Sequence, residues 1–126
     1  MSRNLCVRRD GDGRQRELLQ GPPRARWLAL ISLVFLYETR DTEEFENAYG
    51  PGGDWAQFFA GATGYLGSDL LRDLDQPGRY LVVDRWETVE AYNAFIATNG
   101  EEYMRRSDEM TGHYVQELRL GTFETA

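Results

Sequence analysis

Three residues in the second half of the chain carry side chains suited to acid–base or charge-stabilising chemistry: Asp84, Arg85 and His113. His113 is the only histidine, and histidine is the side chain whose ordinary pKa lies near neutrality. Asp84 becomes a base near neutral pH if it packs beside aromatic rings, because a desolvated carboxylate holds its proton more tightly. Seven aromatic residues could wall a dry pocket around them: Trp55, Phe59, Tyr65, Trp86, Tyr92, Phe95 and Tyr103. Such a set suits a dry pocket that assists the deprotonation of a bound group and stabilises oxyanions. A plainer reading stands beside this one. Aromatic stripes are more often core than ligand site. Asp84 and Arg85 fall on opposite faces of a strand, and each can be a surface ion pair or a subunit contact. His113 opens a strand after Gly112 and can simply be exposed.

Other chemistries are excluded by composition. There is no lysine, so neither a Schiff-base amine nor a phosphate-loop lysine exists. One cysteine (Cys6) and one histidine cannot build the usual zinc sites within one chain, nor the two-histidine facial triad of non-haem iron. The lone cysteine allows no internal disulfide and fits a reducing, cytoplasmic setting. Gly61, Gly64 and Gly67 have the wrong spacing for a dinucleotide fingerprint, and Gly50-Pro51-Gly52-Gly53 lies between helices rather than after a strand. Charge divides the chain. Residues 1–27 hold seven Arg against three acids, and residues 28–126 hold seven Arg against eighteen. The acidic body is a poor match for nucleic acid. The Arg-, Gly- and Pro-rich stretch 1–27 reads as a flexible basic extension, which leaves 28–126 as one domain.

The stretch that must position the chemistry is Arg79–Phe95. Tyr80-Leu81-Val82-Val83 is β-branched and apolar, as a buried strand requires. Alternation puts Tyr80, Val82, Asp84 and Trp86 on one face and Leu81, Val83 and Arg85 on the other. Thr88 caps a helix whose Val89, Tyr92, Phe95 and Ile96 lie back on the sheet. Upstream, Trp27–Tyr37 is the most apolar run. It is about half the length of a membrane span and lacks a small-residue cleavage site, so it reads as a buried strand over 28–38. Asp41 with Glu44 forms a capping box for a helix bearing Phe45, Ala48 and Tyr49. Asp54 caps a second short helix with Trp55, Phe58 and Phe59. Tyr65–Leu74 and Arg79–Trp86 form a hairpin about Asp75-Gln76-Pro77-Gly78, with Pro-Gly in a type II bend. Asn99-Gly100 ends the next helix in a left-handed cap. Helix resumes over Glu101–Met110 with Tyr103 and Met104 inward, and His113–Phe123 is the last strand. The expected fold class is therefore α+β, a ferredoxin-like βαββαβ chain with an antiparallel four-stranded sheet. One sheet face is left for a second subunit to cover.

Several motifs carry a family resemblance: Phe45-Glu46 with Tyr49-Gly50-Pro51, Gly53-Asp54-Trp55, Gly64-Tyr65-Leu66, Arg79-Tyr80, Asp84-Arg85-Trp86-Glu87-Thr88 and Glu90-Ala91-Tyr92. Over residues 28–123 the chain resembles the antibiotic biosynthesis monooxygenase family of the dimeric α/β-barrel superfamily. The resemblance implies homodimers whose sheets pack into a barrel, and a cavity between each sheet and its helices. It also implies oxidation of polycyclic aromatic compounds by O₂ with no metal, flavin or haem, while other members degrade haem. Phe95 stands where many monooxygenase-like members carry a histidine. Phe95 and Arg105 stand where haem-degrading members carry a tryptophan and a histidine. The expected function is a cofactor-independent monooxygenase for an aromatic, polyketide- or quinol-like molecule. The alternative is a dimeric domain that binds a small ligand, or stabilises an assembly, without chemistry. A roomy cavity favours the first; one filled by Trp55, Tyr92 and Phe95 favours the second.

Overall fold

The computed structural model describes residues 30–126. The basic extension expected over 1–27, Cys6 within it, and Leu28 and Ala29 of the expected first strand lie outside the described residues. Strand β1 (Ile31–Glu38) is followed by helices α1 (Thr42–Tyr49) and α2 (Asp54–Phe59). Strands β2 (Tyr65–Arg72) and β3 (Arg79–Trp86) come next, then helix α3 (Val89–Met110), one 3-10 turn (Thr111–His113) and strand β4 (Gln116–Glu124). The sheet order is β2-β3-β1-β4, every neighbouring pair antiparallel, in the expected ferredoxin-like arrangement. The four strands form an open sheet rather than a closed barrel.

Alternation along the central strands divides the two faces as expected. Ile31, Leu33 and Tyr37 of β1 and Tyr80, Val82 and Trp86 of β3 are buried beneath the helices. Two clusters fill this layer. One gathers Tyr37, Phe45, Ala48, Tyr49, Tyr80, Val82 and Met110. The other gathers Ile31, Leu33, Phe59 and Trp86. The apolar stripe of α1 explains its placement, since Phe45, Ala48 and Tyr49 all face the sheet. Asp41 caps α1 by accepting the Glu44 N–H at 3.0 Å, and Thr88 caps α3 by accepting the Ala91 N–H at 3.0 Å. The β2–β3 hairpin closes through a type II bend. Arg79 N–H donates to the Gln76 carbonyl at 3.2 Å, and Gly78 takes φ 87°, a value that favours glycine.

Several boundaries differ from the sequence reading. Gly53, not Asp54, is the N-cap of α2, and Asp54 sits in its first turn. Strand β2 stops at Arg72, because the Asp73 carboxylate accepts the N–H groups of Asp75 and Gln76 and so begins the turn early. Asn99 kinks α3 without a left-handed cap: its φ is −116°, and its side-chain amide donates to the Phe95 carbonyl at 3.0 Å. Met104 is 59% exposed rather than inward. Inward positions after the kink follow Tyr103, Ser107 and Met110 at helical spacing, and Met104 falls outside that stripe. His113 belongs to the 3-10 turn, and β4 starts three residues later.

Candidate functional site

The two core clusters do not meet completely. At their seam, between sheet and helices, lies a cavity of about 50 Å³. The space between atoms rises to about 450 Å³ when the mouth, open to solvent, is counted. Its floor is the sheet, through Phe35, Val82, Asp84 and Ser68. Its walls are Tyr49 of α1, Trp55 and Phe59 of α2, and Tyr103 and Ser107 of α3. Tyr37 and the exposed Glu117 complete it on the β4 side.

Asp84 is the charged group on the floor. The Ser68 hydroxyl donates to its Oδ1 at 2.6 Å, and the Tyr65 hydroxyl lies 2.6 Å from Ser68 Oγ. Burial pushes the Asp84 carboxyl up to about 6, against the opposing pull of the Ser68 hydrogen bond and the Arg85 charge. The local backbone explains how Ser68 comes to face Asp84. Simple alternation from Tyr65 would put Ser68 on the opposite face. A bulge between Tyr65 and Gly67 inserts one extra residue, so Tyr65 pairs with Trp86, Gly67 with Arg85 and Ser68 with Asp84. Gly67 carries the bulge at φ 123°, where a side chain would be strained.

The tyrosines around the cavity are held in their neutral, donating form. Burial raises the hydroxyls of Tyr37, Tyr49 and Tyr103 above their ordinary value, and Tyr92 behind them reaches about 12. At the mouth, Tyr37 donates to Glu117 Oε2 at 2.5 Å, and Tyr114 to Oε1 at 3.4 Å.

The ten residues singled out in the sequence are divided by the fold. Trp55, Phe59, Asp84 and Tyr103 line the cavity together. Tyr65, Trp86, Tyr92 and Phe95 pack beside it. Trp86 is fully buried, with ring centroids of Phe59, Tyr65, Tyr92 and Phe95 at 5.6, 5.3, 5.5 and 5.7 Å. Its indole N–H has no hydrogen-bond partner among the described residues. Arg85 points to the open sheet face, where it pairs with Asp69. His113 lies away from the cavity, its Nε2 3.9 Å from Glu44. Sequence reasoning passed over Phe35, Tyr37, Tyr49, Ser68, Val82, Ser107 and Glu117. Phe35 and Tyr37 were available from alternation along β1, and Ser107 from helical spacing four residues after Tyr103. Ser68 depended on the bulge. Among the described residues no group of three or more His, Cys, Asp or Glu side chains is placed to hold a metal ion. No described helix is long and apolar enough to cross a membrane.

Comparison with known proteins places this geometry among relatives. The sequence profile of antibiotic biosynthesis monooxygenases matches residues 41–109. Two crystal structures of SnoaB, a cofactor-independent oxygenase from Streptomyces nogalater, are similar in fold, with TM-scores of 0.59 (a point mutant) and 0.56. Each is 20% identical to this chain over 75% of its length and 91% of theirs. A conserved protein from Methanosarcina mazei is similar at TM-score 0.57 and 11% identity, over 76% of this chain and 97% of that one. No curated protein matches the sequence.

Proposed function

The chain belongs to the antibiotic biosynthesis monooxygenase family, and from that premise we propose that it is a cofactor-independent monooxygenase acting on an electron-rich aromatic molecule, with Asp84 as its base. The observation that carries the proposal is the raised carboxyl of Asp84 on the floor of an aromatic-walled cavity. A base is most effective when its pKa lies near the working pH, and about 6 meets that condition where an ordinary aspartate does not. The similar fold of SnoaB, itself a cofactor-independent oxygenase, supports the same reading.

In the proposed reaction Asp84 removes a proton from an anthrone-type CH₂ or a phenol. The resulting anion passes one electron to O₂, and the radical pair recombines as a peroxide. Loss of water from the peroxide leaves a carbonyl. The sum, CH₂ plus O₂ giving C=O plus H₂O, is balanced, with one oxygen atom in the product and one in water. The neutral hydroxyls of Tyr103 and Ser107, on the wall facing the sheet, are available to donate to the developing oxyanion. The rings of Trp55 and Phe59 keep the anion away from water.

A second copy of the chain belongs to this proposal. The open sheet face carries Val34 and Leu36 of β1, Leu81 and Val83 of β3, Leu71 of β2, and Leu118 and Phe123 of β4. Leu71, Leu118 and Phe123 are 50, 48 and 51% exposed, and such a contiguous apolar face calls for a partner. A homodimer built sheet to sheet would cover it.

The size of the cavity favours a second reading. Ligand pockets usually measure about 300–1,000 Å³, and the enclosed space of about 50 Å³ holds no multi-ring compound unless the mouth opens. A dimeric domain without chemistry fits that packing. Oxygen uptake separates the two. The purified full chain, treated with chelator, should consume O₂ with an anthrone or hydroquinone well above the buffer rate. Uptake at the buffer rate across a panel of such compounds would leave the non-catalytic reading standing.

A further inference from the structure

The mouth of the cavity on the β4 side carries a cation as well as a carboxylate. In the β1–β4 register Tyr37 faces Glu117 and Phe35 faces Arg119, and both Tyr37 and Phe35 line the cavity. Alternate residues of a strand share a face, so Glu117 and Arg119 stand next to each other on the helix side of the sheet. Simple alternation would turn Thr122, three residues on, to the other face. The register slips between Val34 and Phe35, which makes Leu120 an extra residue in β4 and sets Thr122 opposite the buried Leu33. Thr122 therefore shares the face of Arg119, and the guanidinium donates to its Oγ1 at 2.5 Å.

That neutral hydroxyl is the one acceptor Arg119 reaches among the described residues. Other arginines are held by carboxylates: Arg72 by Glu46, Arg79 by Asp73, Arg85 by Asp69, and Arg105 and Arg106 by Glu102. Arg40 lines a separate recess beside His113. A guanidinium presents five N–H donors in a planar fork, so the exposed Arg119 keeps an edge free for an anion. Glu117 is differently placed, because the Tyr37 and Tyr114 hydroxyls already donate to its two oxygens. Tyr92 ties Arg119 to the site. Burial chiefly raises its hydroxyl to about 12, with Arg119 opposing the rise and Asp84 adding to it, so both charges act on one group beside the cavity. The enclosed space is only about 50 Å³. Most of a multi-ring molecule whose reacting end rests on Asp84 must then lie in the open mouth.

Taking the oxygenase reading as its basis, we propose that Arg119 is a specificity-determining residue of this site, binding a carboxylate on the end of the aromatic substrate that stays in the mouth. A carboxylate matches the guanidinium fork with two parallel hydrogen bonds, and Arg119 gives up only a neutral hydroxyl to make them.

The test uses two redox-stable probes with the full-length protein: 1,8-dihydroxyanthraquinone and its 3-carboxylate, titrated against tryptophan fluorescence. At low ionic strength and about pH 7.5 the acid should bind at least about fivefold more tightly, a difference of about 1 kcal/mol. Added salt should shrink this preference, since the pair is exposed. Arg119→Gln should abolish it by weakening the acid, with the neutral probe within about twofold of wild type, and Arg119→Lys should restore part of it because the charge returns without the fork. Arg40→Gln should leave the preference intact. Equal or weaker binding of the acid by the wild-type protein, a preference that survives Arg119→Gln, or an equal loss in Arg40→Gln would overturn the proposal. Failure of both probes to bind would overturn it too. A preference carried by Arg119 with no oxygen uptake would refute the oxygenase reading while leaving the anchor in place. Oxygen uptake with equal affinity for both probes would do the reverse.

Discussion

Replacing Asp84 by asparagine should stabilise the protein, and only above a certain pH. In the folded chain the Asp84 carboxyl holds its proton up to about 6, against 3.8 in its ordinary state, chiefly because burial disfavours its charged form. Between about pH 4 and pH 6 the folded state therefore binds more protons than the unfolded one, and stability falls as pH rises through that window. Each unit of pKa difference is about 1.4 kcal/mol, so the full cost above pH 6 is about 3 kcal/mol. An amide of the same shape is never charged, and its carbonyl still accepts the Ser68 hydroxyl. Asp84→Asn should thus be more stable than wild type by about 3 kcal/mol at about pH 8, and nearly equal to it at about pH 3.5. Urea unfolding followed by tryptophan fluorescence at both pH values measures this double difference. Glu46, held down near 2 by the Arg72 guanidinium and the Tyr80 hydroxyl, pulls the pH dependence the other way. It does so in both proteins and cancels. A variant less stable than wild type at about pH 8, or a gain independent of pH, would refute the burial argument. A stability gain accompanied by lost turnover is what a carboxylate retained for chemistry predicts.

Three further outcomes are expected. Ser68→Ala removes a hydrogen bond to the charged carboxylate, so the Asp84 titration should move above about 6, carrying the rising limb of the pH–rate profile with it; carboxyl NMR reads the shift directly, and an unmoved midpoint would show that the bond does not matter. Trp86→Ala should cost about 3–5 kcal/mol, since the ring is fully buried among four others; Trp86→Phe should cost less because it keeps an aromatic ring in the cluster and leaves a smaller cavity, and an unfolding midpoint unchanged in both would contradict the core role. Leu81→Arg, at the centre of the open sheet face, should shift the particle mass in light scattering from that of two chains to that of one, whereas a wild-type protein already at single-chain mass at high concentration would remove the proposed dimer.

What the sequence revealed, and what it hid, follows from how local each feature is. Alternation along β3 is local. It correctly placed Tyr80, Val82 and Trp86 under the helices and Asp84 beside them, because four neighbouring residues share one strand geometry. The caps at Asp41 and Thr88 and the Pro77-Gly78 bend are equally local. Ser68 is different. Its facing depends on an extra residue in a bulge, and a one-residue slip turns every later side chain to the other face. The membership of the cavity is less local still. Trp86, Tyr92 and Phe95 share composition and spacing with Trp55 and Tyr103. Only three-dimensional packing decides that the former fill a cluster while the latter face a gap. His113 attracted notice because it is unique, yet the 3-10 turn carries it away from the cavity, beside Glu44.

The most direct test of the account is to supply ¹⁸O₂ with an anthrone to the wild-type protein and to Asp84→Asn, and to weigh the quinone by mass spectrometry. The account predicts a single labelled oxygen in the wild-type product, formed with a rate that climbs through about pH 6, and the slow background rate from the variant. Unlabelled product, or labelled product formed equally fast without the Asp84 carboxylate, would contradict it.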